Sequence, residues 1–186
     1  MTVFELYKLL KADISRLYTP SQKRYIWVKY FLVLFNPRFI PVLIIRLARF
    51  CRLKIFLYPI SIVLTWINVL LFGIECTSHC EIGPGLFLPH TSGTVVGAGK
   101  IGANATIFQG VTLGATQADL AFDISLRPNV GNYVVIGAGA KILGGCTIGD
   151  RSIIGANAVV LKSIPPDTLA VGIPAKQKKI SHDNNK

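Results

Sequence analysis

Three histidines occur in this chain of 186 residues, and His90 stands where an imidazole has no evident packing role. It follows Pro89 in "GLFLPHTSGTVVGAGKIG" (residues 85–102), a run of glycine, aliphatic and small hydroxyl residues. Imidazole titrates near neutrality, so a histidine held in such a place can take a proton from a hydroxyl and return it later. The competing reading is a turn residue or a hydrogen-bonded core side chain. His79 reads as a solvated turn residue, and His182 falls in the polar tail "SHDNNK".

What must position His90 is a repeat. Past Glu75, aliphatic residues recur every six positions: Ile82 and Leu88, then Val95, Ile101, Ile107 and Leu113. The series resumes at Val130, Ile136, Ile142, Ile148, Ile154 and Val160. Neither a helix nor an ordinary strand has period six. A triangular parallel β-helix does, with three faces to a coil of about 18 residues. The aliphatic residues are expected to point into the prism, and a glycine often follows them (83, 102, 114, 131, 137, 149 and 155). That glycine is expected to permit the tight corner. Position i+4 is often small: Ser92, Ala105, Ala140, Cys146, Ser152 and Ala158. Two breaks interrupt the register. One spacing is seven, from Leu88 to Val95, beside His90; the other is "ATQADLAFDISLRPN", residues 115–129, read as a loop thrown out from a corner. His79 and His90 fall on unlike phases of the hexad, so three converging imidazoles are not available and no metal is expected.

Residues 1–74 differ in kind. They carry 11 Lys and Arg against two acids, Glu5 and Asp13, whereas the rest carries nine against seven. The basic residues are mixed with aliphatic and aromatic runs such as "YIWVKYFLVLF" and "FIPVLIIRLARF", too greasy for a nucleic-acid arm. This composition predicts a helical, membrane-associating region on the cytosolic leaflet and no nucleic-acid partner. "TVFELYKLLKADISRLY" places Val3, Leu6, Leu9 or Leu10, Ile14 and Leu17 on one helical face. Ile55–Ile74 is 20 uncharged residues, and with Pro59 and Asn68 inside it a membrane-lying or re-entrant helix fits better than a span. The four cysteines lack paired spacing and no signal peptide is visible, which predicts reduced thiols facing the cytosol.

The hexads, with "PHTSGTVVG", "QGVTLG", "VVIGAGAKILGGCTIGD", "IIGANAVVL" and "VGIPAK", resemble the hexapeptide-repeat acyltransferases in their serine O-acetyltransferase-like branch. In its N-terminal character the chain is most similar to the membrane-associated polysaccharide O-acetyltransferases of that branch. The resemblance implies a mainly β fold, a left-handed parallel β-helix over 75–176, preceded by the helical region 1–74 and followed by a polar tail, 177–186. It implies a homotrimer with active sites between subunits and acetyl-CoA as co-substrate in the groove between adjacent prisms. The family's catalytic base falls on His90 and its acidic partner on Glu75, fifteen residues earlier. A carboxylate on the other ring nitrogen would fix the tautomer and stabilise the imidazolium. Gln109 should stack one coil above His90 and could hydrogen-bond the acceptor. CoA is expected against backbone amides at Gly114, Ala115, Ala138 and Ala156, with Lys141 and Lys176 meeting its phosphates.

The acceptor is read from departures. Serine acetyltransferases carry Asp immediately before the catalytic His, where this chain has Pro89, and Arg-His-Pro at the loop's end, where it has Leu126-Arg127-Pro128. Together with the greasy, basic N-terminus, this predicts acetyl transfer to a sugar hydroxyl of a bacterial surface polysaccharide or its lipid-linked precursor. Arg127 would then hydrogen-bond the saccharide, at the cytoplasmic face of the inner membrane. The alternative is a serine O-acetyltransferase of cysteine biosynthesis, with a non-catalytic trimeric scaffold as the remaining reading.

Overall fold

The computed structural model describes residues 1–18, 32, 33, 35–119 and 121–180. His182, the tail from 181 onward and most of "YIWVKYFLVLF" lie outside the described residues.

Among the described residues, the helices α1 (Val3–Ser15), α2 (Ile40–Arg52) and α3 (Tyr58–Phe72) precede the repeat. A capping box starts α1, with the Glu5 N–H donating to Thr2 Oγ1 and the Thr2 N–H to Glu5 Oε2. Gly73, left-handed at φ 62°, ends α3, so the uncharged run is cut. Ile74 already belongs to the first strand and is fully buried.

From Ile74 the chain winds a left-handed parallel β-helix. Face one stacks Ile74–Cys76, Thr94–Val96, Thr112–Gly114, Lys141–Leu143 and Val159–Val160. Face two stacks Glu81–Ile82, Lys100–Ile101, Asn129–Val130 and Thr147–Ile148. Face three stacks Thr106–Ile107, Val135–Ile136, Ile153–Ile154 and Thr168–Val171. Lys176–Lys179, expected to open into a polar tail at 177, instead adds antiparallel to Thr168–Val171. The inward rungs are aliphatic: Ile101, Val130 and Ile148 on face two, and Ile107, Ile136 and Ile154 on face three.

Two details of the repeat differ from the expectation. Val96, not Val95, points inward, over Leu113. Thr94 takes the small position ahead of it, its buried hydroxyl accepting the Gly110 N–H at 3.2 Å. The extra residues of that coil are therefore gathered at 89–93, around His90. The corners, in turn, are not made by the glycine after each aliphatic residue. The left-handed backbone falls two residues further on, at Asn104 (φ 57°), Gly110 (70°), Tyr133 (57°), Gly139 (73°), Arg151 (58°) and Asn157 (56°). Glycines such as Gly102 are required by close stacking, since a Cβ there would lie 2.6 Å from the Gly131 carbonyl carbon of the next coil.

The loop 115–129 appears as an offset in register. Thr112 pairs with Lys141, 29 positions on, whereas Lys141 pairs with Val159, 18 on.

The helices dock on the first coil through a buried ion pair. Arg46 on α2 and Asp13 on α1 are each 2% exposed. Arg46 Nε and Nη2 donate to the two Asp13 carboxylate oxygens at 2.9 and 3.0 Å. The same guanidinium donates to the carbonyls of Ile82 and Gly83. Asp13 Oδ1 also accepts the N–H groups of Gly85 and Leu86. The expected apolar face of α1 holds at Leu6, buried, and at Leu9, Leu10, Ile14 and Leu17, half-buried, but Val3 is exposed and the deepest α1 residue is the acid Asp13. On α3 the buried residues are Ser61 and Asn68, while Trp66, Leu70 and Leu71 are exposed. By length and composition alone, Ile55–Phe72 could cross a membrane.

Removing one member of the ion pair strands the other charge in the core. Asp13→Ala or Arg46→Met is expected to destabilise the protein by about 3–5 kcal/mol. The double replacement Asp13→Leu with Arg46→Met should cost less than the two single effects added together. Urea unfolding of the three variants checks this.

Candidate active site

Each coil passes from face three to face one at a corner, and these corners stack into one edge of the prism. The Gly110 N–H donates to the Ser92 carbonyl, the Gly139 N–H to Gln109 and the Asn157 N–H to Ala138. His90, Gln109, Ala138 and Ala156 therefore lie along a single edge. His90 is exposed near its start and lines a cavity of about 480 Å³ with Arg38, Leu71, Phe72, Thr91 and Ser92 among its walls. The Thr91 hydroxyl donates to the Phe72 carbonyl at 2.7 Å and the Gly93 N–H to Gly73 at 2.9 Å, fastening the corner to the end of α3.

Gln109, next along the edge, keeps its side-chain oxygen buried with no hydrogen-bond partner among the described residues. A buried acceptor left unmade costs about 1–3 kcal/mol, so it is a place where a ligand's N–H or O–H would be taken up. Ala138 and Ala156 keep the edge low. Gly114 and Ala115 lie on the adjoining edge, where the loop leaves face one. A Cβ on Gly114 would meet nothing within 4 Å, so its lack of a side chain serves no packing need inside the chain.

Other expected site residues are placed elsewhere. Glu75 points outward from face one into a separate cavity of about 250 Å³, shared with Trp66, Thr77 and His79. Neither its carboxylate nor the His90 ring has a side-chain hydrogen bond among the described residues. Lys141 crosses face one, its Nζ donating to the Gly110 carbonyl and Thr112 Oγ1. Lys176 is exposed on the antiparallel edge strand.

Arg127 closes the loop rather than facing His90. Its Nε and Nη2 donate to Asp119 Oδ2 at 3.1 and 2.9 Å, and its Nη2 also donates to the Asp119 carbonyl. The guanidinium lies 4.6 Å from the Phe122 ring, which is also stacked with His79 at 4.7 Å. Sequence reasoning treated His79 as free and missed this clasp, because the contact joins a corner to a loop more than 40 positions away. It also missed Arg38, which lay in a basic stretch with no periodic relation to His90.

The clasp is pH-sensitive in a defined direction. Burial, then Arg52, Arg49 and Arg127, hold the His79 pKa below its ordinary value. The Arg127 hydrogen bond holds the Asp119 carboxyl below the usual carboxylate range. A depressed pKa gives a contribution complete above the unfolded value and lost as pH falls towards the folded one. His79 therefore gives up its part below about pH 6.5, and Asp119 only in acid below about pH 3.9. An NMR titration should place the His79 midpoint below about 6.5, and Arg127→Gln should move it upward.

Known proteins place this geometry. The family described as bacterial transferase hexapeptide (six repeats) matches residues 127–162. A serine acetyltransferase of Helicobacter pylori (strain J99) is 42% identical over 156 residues, 83% of this chain and 88% of that protein. The crystal structure of Neisseria gonorrhoeae serine acetyltransferase superposes with a TM-score of 0.81 at 29% identity, covering 95% of this chain and 67% of its own. The Brucella abortus serine acetyltransferase in complex with coenzyme A gives 0.79 at 31% identity, covering 95% and 69%. These relatives overturn the polysaccharide acceptor, since proteins matched over most of their length carry the serine name. They overturn the inner-membrane placement too: a superposition covering 95% of this chain takes in helices that had been read as an added anchor. The chain belongs to the hexapeptide-repeat acyltransferases, in their serine O-acetyltransferase-like branch.

Proposed function

We propose that this acetyl-CoA-dependent acyltransferase acetylates the hydroxyl of L-serine, giving O-acetyl-L-serine and free CoA. The observation that carries the reading is the placement of His90. It is exposed, on the edge where small residues leave a groove, inside a cavity large enough for an amino acid.

The groove suits a pantetheine arm. Ala138 and Ala156 keep the edge low, Gly114 opens onto free space beside it, and the unpartnered Gln109 oxygen can accept from an N–H or O–H of a bound substrate. Lys176, exposed, is available to a phosphate, whereas the Lys141 ammonium is held by the chain itself. His90 takes the serine hydroxyl proton as the oxygen bonds to the acetyl carbon. It gives that proton to the sulfur as the thioester bond breaks. Glu75 faces a separate cavity within one chain, so an orienting role toward the ring rests on the family resemblance alone. The working unit is a homotrimer of prisms running from Ile74 to Lys179, with the loop that ends at Pro128 on the adjoining edge and the preceding helices as a cap.

Incubation with acetyl-CoA and L-serine should release CoA thiol, with O-acetyl-L-serine identified by mass spectrometry; absence of that product would overturn the reading. His90→Ala is expected to lower turnover roughly 10²–10⁴-fold while leaving the circular dichroism spectrum native. Glu75→Gln should cost less. Near-normal turnover by His90→Ala would remove the base assignment.

A further inference from the structure

The cavity beside His90 has a cation on one wall and the negative end of a helix on another. Arg38 stands in the turn that leads into α2. That turn is fixed: the Phe39 and Ile40 N–H groups donate to the Asn36 carbonyl, and the Arg38 N–H to Asn36 Oδ1 at 2.9 Å. Its guanidinium, however, has no partner among the described residues and lines the cavity. Other arginines of the helical region are engaged. Arg16 donates to Thr106, Arg46 to Asp13, Arg49 to the carbonyls of Ser78 and His79, and Arg52 lies over the Tyr58 ring.

The same cavity is also lined by the last turn of α3, Leu71 and Phe72, followed by Gly73. A helix C-terminus carries a partial negative charge on its carbonyl ends, which favours a cation near it. His90, the imidazole that would deprotonate a hydroxyl, lines that cavity too. A cation, a negative helix end and a base are the three complements of an α-amino acid bearing a hydroxyl side chain. A simple alcohol would need only the third.

We propose that Arg38 is a specificity-determining residue that binds the acceptor's carboxylate as a forked ion pair. The ammonium then faces the C-terminal carbonyls of α3 and the hydroxyl faces His90. The guanidinium fork matches a carboxylate with two parallel N–H···O bonds, which fixes orientation as well as affinity. The proposal rests on the serine reading. It also accounts for a serine acceptor in a chain whose Arg127 is committed to Asp119.

The test is steady-state kinetics on the full-length protein, using wild type, Arg38→Gln and Arg38→Lys with L-serine and L-serinamide, which keeps the ammonium and hydroxyl but lacks the carboxylate. Loss of hydrogen bonds to a charged group is expected to raise the KM for L-serine about 10- to 100-fold in Arg38→Gln. The KM for acetyl-CoA should stay within about twofold, because the interaction removed is with the acceptor. The wild-type preference for L-serine over L-serinamide should largely vanish in Arg38→Gln and partly return in Arg38→Lys. A wild-type KM and preference in Arg38→Gln overturns the proposal. So does a rise confined to the KM for acetyl-CoA, which would assign the guanidinium to the CoA phosphates. A wild type that acetylates neither acceptor overturns the serine reading itself.

Discussion

The buried pair between Asp13 and Arg46 is the contact on which the rest of the molecule leans. A β-helix has an open first coil whose backbone groups meet no preceding coil, and solenoids need an end cap for that reason. Here Glu81–Ile82 is the terminal strand of face two. Arg46 takes the carbonyls of Ile82 and Gly83, and Asp13 takes the N–H groups of Gly85 and Leu86. Two ions have been moved out of water, which is costly, but each is saturated by the other and by backbone groups that would otherwise be orphaned. Val42 and Ile45 on α2 join the aliphatic core of the prism around this pair.

The same docking builds the wall of the site. α3 is held to α2 by Asn68, whose Nδ2 donates to the Pro41 carbonyl. Its end is fastened by Thr91 and Gly93 to the corner that carries His90. Arg38 enters the cavity because it lies immediately ahead of α2, and Leu71 and Phe72 because they end α3. The prism supplies His90, and the cap supplies the other walls of its cavity. Acyl transfer between two substrates needs both to be held in one geometry, and in the proposed site two structural units converge on one corner.

Part of the charge that looks like a membrane signal is engaged within the fold. Arg46 and Arg49 bind acidic or carbonyl oxygens, and Arg16 reaches Thr106 on face three. The loop repeats the logic at the adjoining edge, where Arg127 is held by Asp119 and by the ring of Phe122. A basic count says how many cations a segment has but not how many are already paired.

The β-helix and its family were legible in the sequence because a solenoid is nearly one-dimensional. Each coil touches only its neighbours, so the packing requirement is written locally as an aliphatic residue every six positions. Where that local rule bends, the reading slipped. Val96 rather than Val95 turns inward because Thr94 fills the small position, and the left-handed corners fall two residues past the glycines. What only the tertiary structure decided involves residues with no periodic relation: Asp13 with Arg46, His79 with Phe122, and Arg38 with His90. These meetings depend on how helices dock on a coil and how a loop folds back. Such contacts join distant positions through side-chain charge and shape, and no spacing along the chain encodes them.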